Sequence, residues 1–273
     1  MFTAQDLQTY LPDQSAEARA NDYPYAAPEG GFVLTGGTLV PLEDASLLQG
    51  RTAVLSVGSN RAPVQLRRKF GDDATVPVTP AILHDCDIVH AAAISYYGSV
   101  SCTAFPCSGT DVFLNIAWLD DDQLVTMHRT EALGVAYDYI RKLSGMVTHI
   151  PVPAAGGDIV PASQPVYGYA SRSGVLDAGD GRPAALTAIP ARGRQFTAMT
   201  QADAVTLARG KVDGLSDVWP DGLSQDRMSF VQQVIGDRDL RRQVNDCLKD
   251  EALHGEGPWL VQNVTADDIG GFL

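Results

Sequence analysis

The residue of this chain best placed by type and spacing to do acid/base chemistry is Glu131. Leu124, Met127 and His128 define one stripe of a helix, and Glu131 follows them by seven, four and three residues, so the helical period puts a carboxylate on the apolar stripe. Burying an ionised carboxylate without a partner costs several kcal/mol. Such a residue must therefore find donors, carry a raised pKa, or line a solvent-filled pocket. The last two outcomes suit a general base. The competing reading is a helix-end residue turned to water or paired with Arg129 or Arg141.

A second group of polar residues stands in the loop Gly58-Ser59-Asn60, directly after the apolar run Ala53 to Val57. A glycine there lets consecutive amides converge on one anion, and Ser59 and Asn60 add side-chain donors. The same tripeptide is also ordinary turn chemistry. It is not a nucleophile elbow, which needs G-x-S-x-G, whereas Asn60 and Arg61 follow Ser59 here.

The elements that must hold these groups can be read from pattern. Ala53 to Val57 reads as a buried strand, as do Ile88 to Ser95, Val100 to Phe105 and Val112 to Trp118, the last buried on both faces. Asp120-Asp121-Asp122 supplies the cap and first turn of the helix that carries Glu131, and Gly134 is expected to close it. Further strands are expected at Met146 to Val152 and Val166 to Ser171. Helices are expected from about Thr200, Ser224 and Asp237. Residues 1–50 form an irregular arm, 51–172 a core, and 173–273 a loop followed by a helical extension.

The order of these pieces resembles the γ-glutamylcyclotransferase-like family. The resemblance rests on Val57-Gly58-Ser59-Asn60, where the family has Y-G-S-N, and on a downstream helix bearing Glu131; it covers about residues 53–171. It implies an α+β fold, a small mixed β-barrel with a helical C-terminal appendage. It also implies that Val57, Gly58, Ser59 and Asn60 hold a substrate carboxylate, that Glu131 is the catalytic acid/base, and that Tyr169, with Tyr137, closes the pocket. The reaction implied is cleavage of a γ-glutamyl or related amide into 5-oxoproline and a free amine, with no metal and no organic cofactor. A metabolite-binding or assembly module, or an amide hydrolase, would use the same residues. Val57 departs from the family's tyrosine.

Composition narrows the partners. With 33 acidic against 20 basic residues the chain carries a formal charge of -13, which disfavours nucleic acid and anionic membrane surfaces. No apolar run reaches the length of a membrane span and no signal-peptide pattern opens the chain, so a cytoplasmic protein is expected. A small molecule carrying a carboxylate and an amine is the expected partner, and a homodimer is compatible with the sequence. Cys86, Cys102, Cys107 and Cys247 lack a C-x-x-C pair and read as free thiols. His84, Asp85, Cys86, Asp87 and His90 are rich in ligand types, but strand alternation divides them between two faces, and His128 with Glu131 has no second ligand pair.

Overall fold

The computed structural model of the chain describes residues 7–214 and 222–264. After helix α1 (Ala16–Asn21), strands β1 (Phe32–Thr35) and β2 (Thr38–Pro41) form a hairpin, and β3 (Thr52–Ser56) follows. Helix α2 (Pro63–Phe70) leads into two long strands, β4 (Val76–Ile94) and β5 (Val100–Leu119), and then helix α3 (Asp121–Thr130). Next come β6 (Tyr137–Lys142), β7 (Val147–His149), β8 (Val166–Ser171), β9 (Ala185–Leu186), β10 (Ala191–Arg192) and β11 (Ala198–Met199). Helices α4 (Gln201–Lys211), α5 (Arg227–Gly236) and α6 (Arg238–Asp250) precede the last strand, β12 (Trp259–Val261).

All twelve strands belong to one mixed sheet whose path runs β11-β9-β4-β5-β3-β8-β6-β12. The α+β class is as expected, but the sheet is open rather than a barrel. Closure requires the outermost strands to pair with each other, and here the terminal strands β11 and β12 are only two and three residues long and lie at opposite ends of the path. The strand pieces expected separately at 88–95, 100–105 and 112–118 belong instead to one hairpin of β4 and β5. Its register shifts between His84 and Cys86 and between His90 and Ile94, so irregularities absorb residues that break the sequence pattern without ending the strand.

β3 sits between β5, antiparallel, and β8, parallel, and its Ala53, Val54 and Leu55 are buried. Burial on both faces accounts for the unbroken apolar run. Helix α3 starts as its residues dictate: Asp120 accepts from the Gln123 amide while the Gln123 side chain accepts from the Asp120 amide, a reciprocal capping box. The three C-terminal helices begin at the caps Thr200, Asp226 and Asp237. Their apolar faces, including Phe230, Val234, Leu240 and Val244, pack on Ile94 and Val100 at the tip of the long hairpin. Gly98 in that tip has φ +87, and a Cβ there would stand 2.6 Å from Val231 Cγ1, so the tip and α5 are in close contact. All four cysteines are free thiols. No helix among the described residues is long and apolar enough to cross a membrane.

Candidate active site

The loop after β3 and the end of α3 meet. Asn60 Nδ2 donates to Glu131 Oε1 at 3.0 Å, and the Lys69 ammonium forms an ion pair with the same oxygen. Both side chains of that pair are largely withdrawn from water, 6% exposed for Lys69 and 15% for Glu131. The carboxylate thus satisfies its burial with donors and lines a cavity at once. Both contacts use Oε1, and no donor to Oε2 is found among the described residues.

Local backbone geometry sets where Glu131 points. It caps α3, its amide donating to Met127 O at 2.9 Å, while Ala132 N–H donates to Arg129 O at 3.0 Å and Leu133 N–H to His128 O at 3.2 Å. That pair of bonds is a Schellman ending, whose left-handed residue is usually glycine. Here it is Ala132 at φ +48, which costs an alanine about 1 kcal/mol or more. Gly134 therefore does not close the helix as expected. It lies in the following turn at φ +79, its amide donating to Tyr137 O. Left-handed backbone on a non-glycine residue tends to gather at functional sites, and Ala132 lines the same cavity as Glu131.

On the other wall, Gly58 is required by close approach. A Cβ on it would stand 2.5 Å from Tyr23 Oη and 2.8 Å from Cys102 Sγ. Beyond it, Ser59 to Arg61 make a 3-10 turn, whose first amides have no acceptor within the turn. Asn60 Oδ1 is buried and unpartnered, an acceptor turned away from water with nothing on it. Val57 lines the cavity and its carbonyl accepts from Cys102 Sγ at 3.5 Å.

Three tyrosines complete the interior. Tyr137 opens β6 and its hydroxyl donates to Cys102 O at 3.4 Å, while the Tyr169 hydroxyl bonds His128 Nδ1 at 2.8 Å. Tyr97, in the tip of the long hairpin, has the Ser59 and Ser99 hydroxyls within reach of its own. Burial raises the pKa of all three, reinforced by the nearby Glu131 charge, so each phenol keeps its proton and can donate. Burial likewise pushes the Cys102 thiol up to about 12, which removes it as a nucleophile. Every residue expected at the site, Val57, Gly58, Ser59, Asn60, Glu131, Tyr137 and Tyr169, lines this one cavity of about 640 Å³.

Lys69, Tyr23 and Tyr97 were not expected there. For Lys69 a signal existed: it lies three and four residues after Leu66 and Gln65, both buried, on the inward face of α2. Tyr23 and Tyr97 carry no comparable pattern, because the irregular arm and the hairpin tip bring them in. Among the described residues no group of three or more acidic, histidine or cysteine side chains is arranged to hold a metal ion.

No family model matches the chain, and no curated protein does. Among solved structures, the uncharacterized human protein loc79017 aligns over 81% of this chain and 96% of its own, at 11% identity and a TM-score of 0.32. A likeness at that level assigns neither fold type nor activity.

Proposed function

We propose that the chain is an enzyme of γ-glutamylcyclotransferase-like type that cleaves a γ-glutamyl amide to 5-oxoproline and a free amine. The observation that carries this reading is the direct hydrogen bond from Asn60 to Glu131, which joins the carboxylate-holding loop and the acid/base in one cavity. The substrate's α-carboxylate lies on the Gly58-Ser59-Asn60 loop. Its α-amine donates to the unpartnered Asn60 Oδ1 and to Glu131 Oε2.

Glu131 takes a proton from the α-ammonium, and the freed amine nitrogen attacks the side-chain carbonyl carbon, closing a five-membered ring. Attack leaves the ring nitrogen cationic and the former carbonyl oxygen anionic. The proton on Glu131 passes to the leaving nitrogen, the oxyanion re-forms the carbonyl as the amide C–N bond breaks, and the freed Glu131 carboxylate takes the second proton from the ring nitrogen and releases it to solvent. Lys69 keeps the carboxylate oriented and offsets its charge before substrate arrives. The protonated phenol of Tyr97 is a donor for the oxygen that gains charge. Fixing both reacting groups on rigid walls supplies much of the acceleration, because ring closure is limited by orientation. Cytoplasmic action on small γ-glutamyl metabolites follows from the same reading.

The test is 5-oxoproline formation from a panel of γ-glutamyl amides. Glu131→Gln should lower kcat by 10²-fold to 10⁴-fold with an unchanged circular dichroism spectrum. Equal turnover by the variant would end the assignment, and release of glutamate instead of 5-oxoproline would convert it to an amide hydrolase. A purely binding role is the second reading. One observation favours it: Glu131 already has Lys69 as a partner, as an anchoring carboxylate would.

A further inference from the structure

The cavity reaches well beyond Glu131, and its outer part has a different chemistry. Four cations line it, Arg19 from α1, Arg68 from α2, and Arg241 and Lys249 from α6, against one further carboxylate, Asp246. Among the described residues none of the four forms an ion pair. Their contacts are to neutral groups. Arg19 donates weakly to Tyr96 Oη at 3.5 Å and lies over the Tyr97 ring, with its Nε buried and unpartnered. Arg68 reaches Gln14 and the Tyr25 ring, and Arg241 reaches the Val234 and Ile235 carbonyls that end α5.

Cations without carboxylate partners are conspicuous on a chain with 33 acids and 20 bases. A cleft of one sign set in a protein of the other focuses its field on an incoming anion. The cations are also held in place. Arg241, Asn245 and Lys249 recur every four residues along one face of α6, and Asn245 both accepts from Ile94 N at 2.8 Å and donates to Ile94 O at 3.1 Å, tying that face to the end of β4.

The same mouth carries exposed apolar surface. Tyr96 is 63% exposed and Val135 75% exposed, two of the few large hydrophobic side chains left in water, and both line this cavity. Tyr96 meets Tyr97 edge to face at 4.9 Å, which steadies its ring.

Resting on the cyclotransferase reading, we infer that the outer half of the cavity receives the leaving amine. It selects one that bears both an anionic group and an apolar ring, the anion on the Arg19, Arg241 and Lys249 side and the ring against Tyr96 and Val135. The determinants of this selection lie in α1, the hairpin tip and α6, apart from the loop and glutamate that do the chemistry.

Four γ-glutamyl compounds separate the two requirements: the amides of phenylalanine (anion and ring), alanine (anion only), phenethylamine (ring only) and ethylamine (neither). 5-Oxoproline release gives kcat/KM, and calorimetry with Glu131→Gln gives binding without turnover. The phenylalanine compound should exceed each single-feature compound by about tenfold or more in both measurements. In Arg19→Gln/Lys249→Gln the preference for phenylalanine over phenethylamine should fall about tenfold, and in Tyr96→Ala the preference for phenylalanine over alanine should shrink. Turnover of all four at similar kcat/KM would overturn this inference and leave the cyclotransferase intact. The expected binding order with no 5-oxoproline from any compound would sustain the inference about the mouth and end the cyclotransferase reading. Absence of both binding and turnover would overturn both.

Discussion

The inner end of the cavity and its mouth are built on different plans. At the inner end, one loop and two helix ends bring Asn60, Lys69 and Glu131 into contact through Asn60 Nδ2, the Lys69 ammonium and one carboxylate oxygen, while Asn60 Oδ1 stays buried and unpartnered. At the mouth, α1 and α6 contribute cations that form no ion pair among the described residues. The inner end is committed to a single geometry. The mouth is a surface awaiting a complementary charge. On the proposed reading, chemistry and choice of substrate are carried by separate parts of the chain, and substitutions would alter one without the other.

The largest effect that would break this division is at the inner end. Gly58→Ala places a methyl group against Tyr23 Oη and Cys102 Sγ, in walls that cannot retreat without moving the loop. Overpacking of this kind costs about 1–3 kcal/mol. A fall in melting temperature together with a drop in turnover for every substrate is expected. A variant as stable and active as the native chain would show that the loop is not held as described.

Acid should weaken β4, the strand to which α6 is tied. His90, fully buried on β4, has its pKa lowered from the ordinary 6.5 to about 4, chiefly by burial, with the nearby Asp203 charge opposing the shift. A base with a depressed folded-state pKa contributes stability that is complete above 6.5 and is lost as pH falls toward 4. Between pH 7 and 5 this amounts to about 2 kcal/mol. Urea unfolding midpoints of the native chain should therefore fall more steeply over that range than those of His90→Gln. Parallel slopes would remove His90 as the cause.

The smallest effect belongs to the mouth. Asn245→Ala removes two hydrogen bonds to Ile94, worth about 1 kcal/mol each, and loosens α6 from β4. KM for a substrate with an anionic leaving group should rise severalfold while kcat stays near native. A change in kcat alone would show that α6 acts on the chemistry and would erase the division.

Much of the inner end was legible in the residues. Ala53 to Val57 had the density of a buried strand, Asp120-Asp121-Asp122 announced the helix start, and helical spacing put Glu131 inward. The C-terminal helix caps at Thr200 and Asp237 were equally readable, because capping is local chemistry. The long hairpin was not. Pro77, Pro80, Pro106 and Gly109 look like stops, yet β4 and β5 run through them, Pro80 and Pro106 taking places in the ladder beside Asn115 and Cys86. The closure of α3 differs from expectation because the Ala132 and Leu133 amides bond back to Arg129 and His128 and hold Ala132 in a conformation that glycine would adopt more readily. The mouth was hidden because its parts lie too far apart in sequence for any local pattern to link them.

That separation also sets an order of events in folding. The Asn60–Glu131 contact closes 71 residues of chain, whereas the Asn245–Ile94 clasp closes 151. The entropy of the longer loop adds less than 1 kcal/mol, so equilibrium stability barely registers the difference. A chain emerging from the ribosome does register it. Residues 60 and 131 are both synthesised more than a hundred residues before Asn245, so the carboxylate proposed to react is made, with its partners, before the helix proposed to select the substrate.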